Sequence, residues 1–541
     1  MTVFESYQHW LANCKGALAD ELAAIVSDKA AVEDAFFKEI EFGTGGLRGK
    51  LGAGTNRMNV HTVGRVTFGL ADYVLSQNVP HSVAIAYDSR HMSKEFARLA
   101  AEIFSSKGVE AYLFDSLMPT PVLSYAVRRL KLGAGVVITA SHNPRAYNGY
   151  KVYNEKGCQI TGEAAEAITR AFGTYDYFTD FTPDEKLIHR VGDDFLDDFL
   201  QTVLSYSRGF DKKYLPKIVY TPLNGTGNLP VKKLFEKMGV SDYVVVPEQE
   251  YPDGDFTTCP YPNPEEKEAL QLALSLAEKI GADLVVATDP DADRMGIATR
   301  EKDGTFRLFT GNETGVLMEN FLLANTDLSS VKSPYVVKTI VTSPLAEKVA
   351  CSYGVATKNV LTGFKYIGET IDACNDETYL FGMEESYGYL VGTHARDKDA
   401  ISAVMTLIEA VCYYAKQGKS PSEALFDIEG KLGFYTSALY SKYFEGKSGM
   451  EFMAKFMDDL RKNPWKEICG RKVAEVKDYA QGLDGLPKSN VIVCLGEDFS
   501  LIARPSGTEP KIKFYVTACA DGIAASEKFA QEMVEFVKKS I

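Results

Sequence analysis

Three aspartates stand at alternate positions in the segment DPDADR, as Asp289, Asp291 and Asp293. On an extended loop, alternate side chains project to one side, and three clustered carboxylates suit a hard divalent cation. An EF-hand is excluded: its sixth and twelfth loop positions call for Gly and Glu and are here Arg294 and Arg300. A solvated acidic turn is the competing reading, against which stands the buried strand expected to feed the loop. Three carboxylates leave coordination positions of a cation such as Mg²⁺ open to water or phosphoryl oxygens.

The segment TASHNPRAYNGYK places Ser141 at the end of an expected strand, with His142 and Asn143 beside it and Lys151 ten residues later. An alcohol becomes a useful nucleophile only with a base, a metal or a pre-formed phosphoester. No G-x-S-x-G elbow surrounds it. Alone it reads as a turn serine; next to an oxygen-ligand metal loop, phosphoryl chemistry becomes the better reading. RPSGTEP (504–510) combines Arg504, Ser506, Gly507 and Thr508, a combination suited to binding a phosphate that is held rather than transferred. An unliganded turn is the alternative. GMEESYG (382–388) offers Glu384, Glu385 and Ser386 to solvent at a strand end, where carboxylates and a hydroxyl could take sugar hydroxyls. THARDKD (393–399) supplies His394, Arg396 and Lys398, and a plain acidic loop with a compensating basic one is the competing reading. GTGGLRG (43–49) reads as a glycine-rich turn presenting Arg48; it does not match G-x-G-x-x-G, so no dinucleotide site is supported.

Elements that end at these loops follow from the hydrophobic pattern. SVAIAY (82–87), VEAYLF (109–114) and GAGVVITA (133–140) read as strands separated by amphipathic helices, and the same alternation recurs at 217–288 and 333–399. The fold class is therefore α/β: three consecutive similar domains with mixed, helix-covered sheets, followed by a smaller C-terminal α+β domain. The first forty residues read as a helical extension, with Trp10, Leu11, Leu22, Ile25 and Val26 as its apolar face. The expected boundaries are 1–205, 206–325, 326–440 and 441–541. In open α/β sheets ligands sit beyond the carboxyl ends of strands, so loops 139–144, 288–294 and 382–388 could face one crevice.

A chain of 541 residues with 45% hydrophobic and 24% charged residues excludes disorder and collagenous or low-complexity classes. A net charge of −14 argues against a nucleic-acid partner but not against a small anionic ligand, which responds to local charge. Nine scattered cysteines without a C-x-x-C pair are expected as reduced, mostly buried thiols. The first residues lack a signal-peptide pattern and no run reaches about 18 apolar residues, so a soluble cytoplasmic protein without a membrane partner is expected.

The loops TASHNP, DPDADR, GMEESYG and RPSGTEP, in that order and one per domain, resemble those of the α-D-phosphohexomutase superfamily. GTGGLRG, TGFKYIG (362–368) and RDKDA (396–400) are most similar to its branch of bacterial and phosphoglucomutase-2-like enzymes. The resemblance covers essentially the whole chain. It implies four domains around one central cleft, the last of them a phosphate-binding lid that shields the intermediate from water. The implied reaction interconverts α-D-glucose 1-phosphate and glucose 6-phosphate through phosphorylated Ser141. Mg²⁺ would be held by Asp289, Asp291, Asp293 and a phosphoserine oxygen, with glucose 1,6-bisphosphate as intermediate and primer. Lys151 would be the general acid/base, His142 and Arg48 would support the serine, and Arg294 would lie beside the transferring group. Glu384, Ser386, His394, Arg396 and Lys398 would hold the sugar, and Arg504, Ser506, Gly507 and Thr508 the other phosphate. The expected partner is a small phosphosugar, and the expected assembly a monomer or small homo-oligomer. Pro290 stands where many relatives have glycine and stiffens the metal loop with its carboxylates untouched. Met383 and Tyr387 in the sugar loop leave glucose phosphate favoured but selectivity not strict, with mannose and pentose phosphates open as substrates beside a non-catalytic binding role.

Overall fold

The computed structural model describes residues 2–43, 45–444, 446–505 and 511–541. The chain divides into two compact units: residues 1–309 with 367–375 and 387–413, and residues 310–366 with 376–386 and 414–541.

The first unit contains two mixed sheets. In the seven-stranded one the order is Phe42–Gly43, Gly46–Lys50, Tyr147–Asn154, Ala134–Ile138, Ser82–Tyr87, Glu110–Phe114, Ile188–Val191. Its two central parallel strands are near-continuous apolar runs because helices cover both faces; every residue of Ser82–Tyr87 and of Ala134–Ile138 is buried. Helix Ser93–Ser106 places Phe96, Ala97, Ala100 and Phe104 against this sheet, each essentially without exposure. Truncating Phe96 or Phe104 to alanine is expected to cost about 3–5 kcal/mol, measurable by denaturant unfolding. The second sheet runs Phe306–Phe309, Met295–Arg300, Leu284–Thr288, Ile218–Thr221, Tyr243–Val245, with Leu284–Thr288 parallel to Ile218–Thr221 and antiparallel to Met295–Arg300.

Three short N-terminal helices, Val3–Asn13, Ala17–Ala24 and Lys29–Phe36, form a small aromatic core of their own. Trp10 and Leu22 are buried in it, but Leu11 and Val26, assigned by the sequence pattern to the same apolar face, are exposed. The three helices are too short to share a single periodic stripe. Trp10 packs edge-on to Phe36, His61 and Phe178. Burial pulls the His61 imidazole below its usual range, against weaker opposing effects of the Tyr177 carbonyl and Asp176. A base whose folded-state affinity for protons is depressed contributes stability above its unfolded pKa and loses it as the pH falls towards the folded value. Thermal scans from about pH 7.5 to about 5 should therefore show wild type losing melting temperature faster than His61→Phe.

In the second unit, Pro334–Thr339 pairs in parallel with Ala356–Val360 and with Thr378–Glu384. The C-terminal part is a five-stranded antiparallel sheet in the order Phe434–Tyr443, Lys511–Ala520, Phe499–Pro505, Ile492–Leu495, Glu475–Asp478. Helix Ile523–Ser540 buries Phe529, Met533 and Val537 against it. Strands Phe434–Tyr443 and Phe499–Pro505 have no counterpart in the sequence reading, because Ser, Thr, Lys and Pro interrupt their apolar alternation. No described helix is long and apolar enough to cross a membrane, and all nine cysteines are free.

Candidate active site

Strand Leu284–Thr288 delivers its chain into the aspartate loop at its carboxyl end. The loop is a tight turn rather than an extended segment: Ala292 N–H donates to the Asp289 carbonyl at 2.9 Å, and Ala292 takes the left-handed region at φ 49°. The turn still achieves the convergence expected of alternate aspartates. Asp289, Asp291 and Asp293 are all buried, and one ligand oxygen of each lies within 4.8 Å of the others.

Each carboxylate commits oxygen atoms to the protein in its own way. Asp289 Oδ1 accepts from the Asp293 and Arg294 N–H groups at 3.1 and 2.9 Å, while its Oδ2 accepts from Ser141 Oγ at 2.7 Å. Asp291 Oδ2 accepts from Thr120 Oγ1 at 2.8 Å and from Lys151 Nζ at 2.7 Å. Asp293 Oδ2 lies 3.3 Å from Lys151 Nζ and 3.3 Å from Lys398 Nζ. Asp291 Oδ1 and Asp293 Oδ1 are buried with no hydrogen-bond partner among the described residues. Orphaned carboxylate oxygens at 0–1% exposure are costly unless a cation meets them. Burial first, then Asp291 and Asp293, raises the Asp289 carboxyl well above its usual range. Burial also opposes ionisation of Asp291, but Lys151 outweighs it and holds that carboxyl low. A hard divalent cation fits this donor set, and its charge would relieve the mutual repulsion.

Ser141 ends the chain segment that leaves strand Ala134–Ile138, and it sits at φ 52°. A non-glycine residue held there costs on the order of 1–3 kcal/mol and persists only where its surroundings enforce it. Its N–H donates to Thr139 Oγ1 at 2.8 Å. His142 Nδ1 lies 3.4 Å from Ser141 Oγ. Loss of solvent and then the Arg294 and Arg48 charges push the imidazole well below its usual range, so it is neutral. Arg48 Nη1 donates to Asn143 Oδ1 at 3.1 Å, from strand Gly46–Lys50 rather than from the turn expected of GTGGLRG. Arg294 pairs with Glu265 at 2.5 Å.

Lys151 is on strand Tyr147–Asn154 opposite Val137 of the strand that leads to Ser141, which explains how residues ten apart meet one site. Burial works against its charge, but Asp291 and Asp293 outweigh it and hold the ammonium above the ordinary lysine range. Lys398 joins the same cluster, held by Asp397 Oδ1 at 3.1 Å; Asp397 Oδ2 in turn accepts from Tyr153 Oη at 2.7 Å and Gln159 Nε2 at 2.8 Å.

The other two basic residues of THARDKD do not share this placement. His394, expected at the sugar, is fully buried, bonded through Nε2 to Asp399 at 2.8 Å and packed against Phe199 and Tyr206. Arg396 is likewise buried: it pairs with Asp372 at 2.8 Å and donates to the carbonyls of Thr393 and Ala395. Both brace the segment that presents Lys398.

In the second unit, Glu384 is the last residue of strand Thr378–Glu384 and is only 5% exposed, not offered to solvent as the loop reading had it. Ser386 is half-buried. The neighbouring Glu385 accepts from Thr339 and Thr342 hydroxyls at 3.3 and 3.4 Å. Arg504 stands on strand Phe499–Pro505 rather than in a loop, and its Nη1 lies 3.5 Å from Tyr515 Oη. Burial, and then Glu385, push the Tyr515 phenol up to about 12 while Arg504 opposes them. Ser506, Gly507 and Thr508 lie outside the described residues.

The sequence reading passed over Arg90, Thr120 and Asp397. Arg90 lies in DSRH, directly after strand Ser82–Tyr87, at the same kind of strand end that supplied the serine and aspartate loops. Thr120 opens a helix behind Pro119. Position relative to the sheet was the available signal for Arg90.

A serine, a neutral histidine, two lysines and three converging carboxylates define a site of the phosphoryl-transfer class. The comparisons agree with that class. Models of the phosphoglucomutase/phosphomannomutase α/β/α domains I, II and III match residues 39–178, 193–304 and 310–430. The phosphoglucomutase of Staphylococcus haemolyticus (strain JCSC1435) is 36% identical over 523 residues, covering 93% of this chain and 94% of that protein. The phosphoglucomutase of Staphylococcus aureus (strain MRSA252) is 36% identical over 521 residues, covering 90% and 91%. Among solved structures, the open form of Paramecium parafusin superposes with a TM-score of 0.70 at 18% identity, covering 93% of this chain and 95% of that one. A phosphoglucomutase/phosphomannomutase family protein of Burkholderia thailandensis gives 0.70 at 19% identity, covering 91% and 96%. The chain belongs to the phosphoglucomutase/phosphomannomutase family of the α-D-phosphohexomutase superfamily.

Proposed function

We propose that this protein is a phosphoglucomutase, an isomerase that interconverts α-D-glucose 1-phosphate and glucose 6-phosphate through phosphorylated Ser141 and a glucose 1,6-bisphosphate intermediate. One observation supports this reading above the others: a left-handed Ser141 hydrogen-bonded at 2.7 Å to the first of three converging aspartates. Asp289, Asp291, Asp293 and a phosphoserine oxygen would hold Mg²⁺, which when bound neutralises the charge of the phosphoryl oxygens.

In the first half-reaction the free sugar hydroxyl attacks the phosphorus on Ser141. A sugar O–P bond forms, the Oγ–P bond breaks, and Oγ keeps the electron pair. Lys151, oriented by Asp291 and Asp293, takes the hydroxyl proton as a free amine, the form favoured once a cation rather than its own ammonium offsets those carboxylates. In the second half-reaction Oγ attacks the other phosphate of the reoriented bisphosphate, and Lys151 returns the proton to the released sugar oxygen. His142 and Arg48 steady the serine loop, and Arg294 faces the transferring group. Glu384 and Ser386 would take the sugar hydroxyls in both orientations, Lys398 assisting, and Arg504 with Ser506, Gly507 and Thr508 would anchor the phosphate that is not reacting. His394 and Arg396 are given a bracing role, in keeping with their buried partners.

A coupled assay with glucose, mannose, ribose and deoxyribose 1-phosphates, with and without Mg²⁺ and glucose 1,6-bisphosphate, tests the reading. Glucose 1-phosphate should turn over fastest, only with the metal and faster with the bisphosphate. Preference for another sugar would reassign the substrate, and no conversion of any would leave a phosphosugar-binding protein without catalysis.

A further inference from the structure

We infer that Arg90 is a positioning residue for phosphoryl transfer, its guanidinium holding the backbone of the Ser141 loop in the one conformation that aims Oγ at the aspartates. The inference rests on the phosphoserine reading above.

The geometry is specific to a guanidinium. Arg90 Nη2 donates to the carbonyls of Ser141 and Asn143, and Nη1 donates to those of Pro144 and Tyr147 at 3.0 and 3.2 Å. Four main-chain acceptors of a single loop thus converge on one planar fork, a pattern that a lysine ammonium cannot reproduce. The side chain itself is fixed. It is fully buried, ion-paired to Asp88 at 3.2 Å and stacked on the Phe256 ring at 4.9 Å. Asp88 is anchored by the Arg90 N–H at 3.0 Å and Ser93 Oγ at 2.7 Å. Arg90 makes no hydrogen bond to a side chain of the serine loop, so it acts on the nucleophile only through the backbone. Together with the Ser141 N–H bond to Thr139 Oγ1, that contact holds Ser141 at φ 52°. A displacement near 1 Å at a reacting atom costs about 100-fold in rate, so a relaxed loop should show in transfer rather than in affinity.

The test compares wild type, Arg90→Lys and Arg90→Ala in single-turnover transfer from glucose 1,6-bisphosphate to Ser141, read by mass spectrometry. Mg²⁺ titration and thermal denaturation run in parallel. Arg90→Lys should transfer about 100-fold more slowly, with the half-saturating bisphosphate and Mg²⁺ concentrations within about twofold of wild type. Millimolar guanidinium should restore part of the rate to Arg90→Ala and none to Arg90→Lys, whose side chain fills the cavity. Transfer by Arg90→Lys at the wild-type rate would overturn the inference. So would a loss of rate matched by loss of Mg²⁺ binding and of the folding transition, which marks a merely structural residue. Absence of phosphate on Ser141 in wild type would overturn the phosphoserine reading and the inference with it.

Discussion

Ser141→Ala is expected to lower interconversion of glucose 1-phosphate and glucose 6-phosphate by about 10⁴-fold or more, because in the proposed mechanism Oγ carries the phosphoryl between the two sugar oxygens. Its fold should persist. Alanine at φ 52° is no more strained than serine, and the deletion removes only the Oγ hydrogen bond to Asp289 and the longer 3.4 Å contact with His142 Nδ1. The Asp291 and Asp293 contacts with Lys151 remain in place. Circular dichroism and the melting transition should match wild type within a few degrees while the coupled assay falls to background. Turnover near the wild-type rate in this variant would remove the serine from the mechanism.

Asp291→Asn carries the second large effect. Asp291 Oδ2 is engaged by Thr120 and Lys151, so its Oδ1 is the atom left for a cation. The amide keeps the size of the group but removes a full negative charge from a buried cluster. It can also turn an N–H₂ towards Lys151, which has nothing to accept it. Turnover should fall by about 10²- to 10³-fold, and the Mg²⁺ concentration for half-maximal activity should rise by at least about tenfold. Lys151, having lost its nearer counter-ion, should also release its proton at lower pH. A metal titration of activity, paired with calorimetric Mg²⁺ binding, separates the two consequences. Unchanged metal dependence would place the cation elsewhere.

Much of this site was legible in the sequence because of how parallel sheets are built. Strands buried on both faces are unbroken apolar runs, so the polar residues that follow Ile138 and Thr288 stand out as loop residues at a ligand-bearing sheet edge. The alternation of Asp289, Asp291 and Asp293 survived an error about the backbone, since a tight turn with Ala292 left-handed converges side chains as an extended loop would. Arg90 was hidden because its partners are carbonyl oxygens, which every residue has and no side-chain pattern marks. His394, Arg396 and Lys398 are alike in type and spacing, yet only Lys398 meets the carboxylates; the path of the chain decides that. Glu384 and Arg504 read as loop residues because Glu, Arg and Pro are poor strand markers, although both strands run through them.

The most direct test of the account follows a labelled phosphoryl group through one turnover. Enzyme labelled on Ser141 from ³²P-glucose 1,6-bisphosphate is freed of sugar and mixed with unlabelled glucose 1-phosphate and Mg²⁺. The label should leave Ser141 and be found in glucose 1,6-bisphosphate and glucose 6-phosphate, with little inorganic phosphate. Label that stays on Ser141 while unlabelled sugar phosphates interconvert, or that is released only as inorganic phosphate, would contradict it.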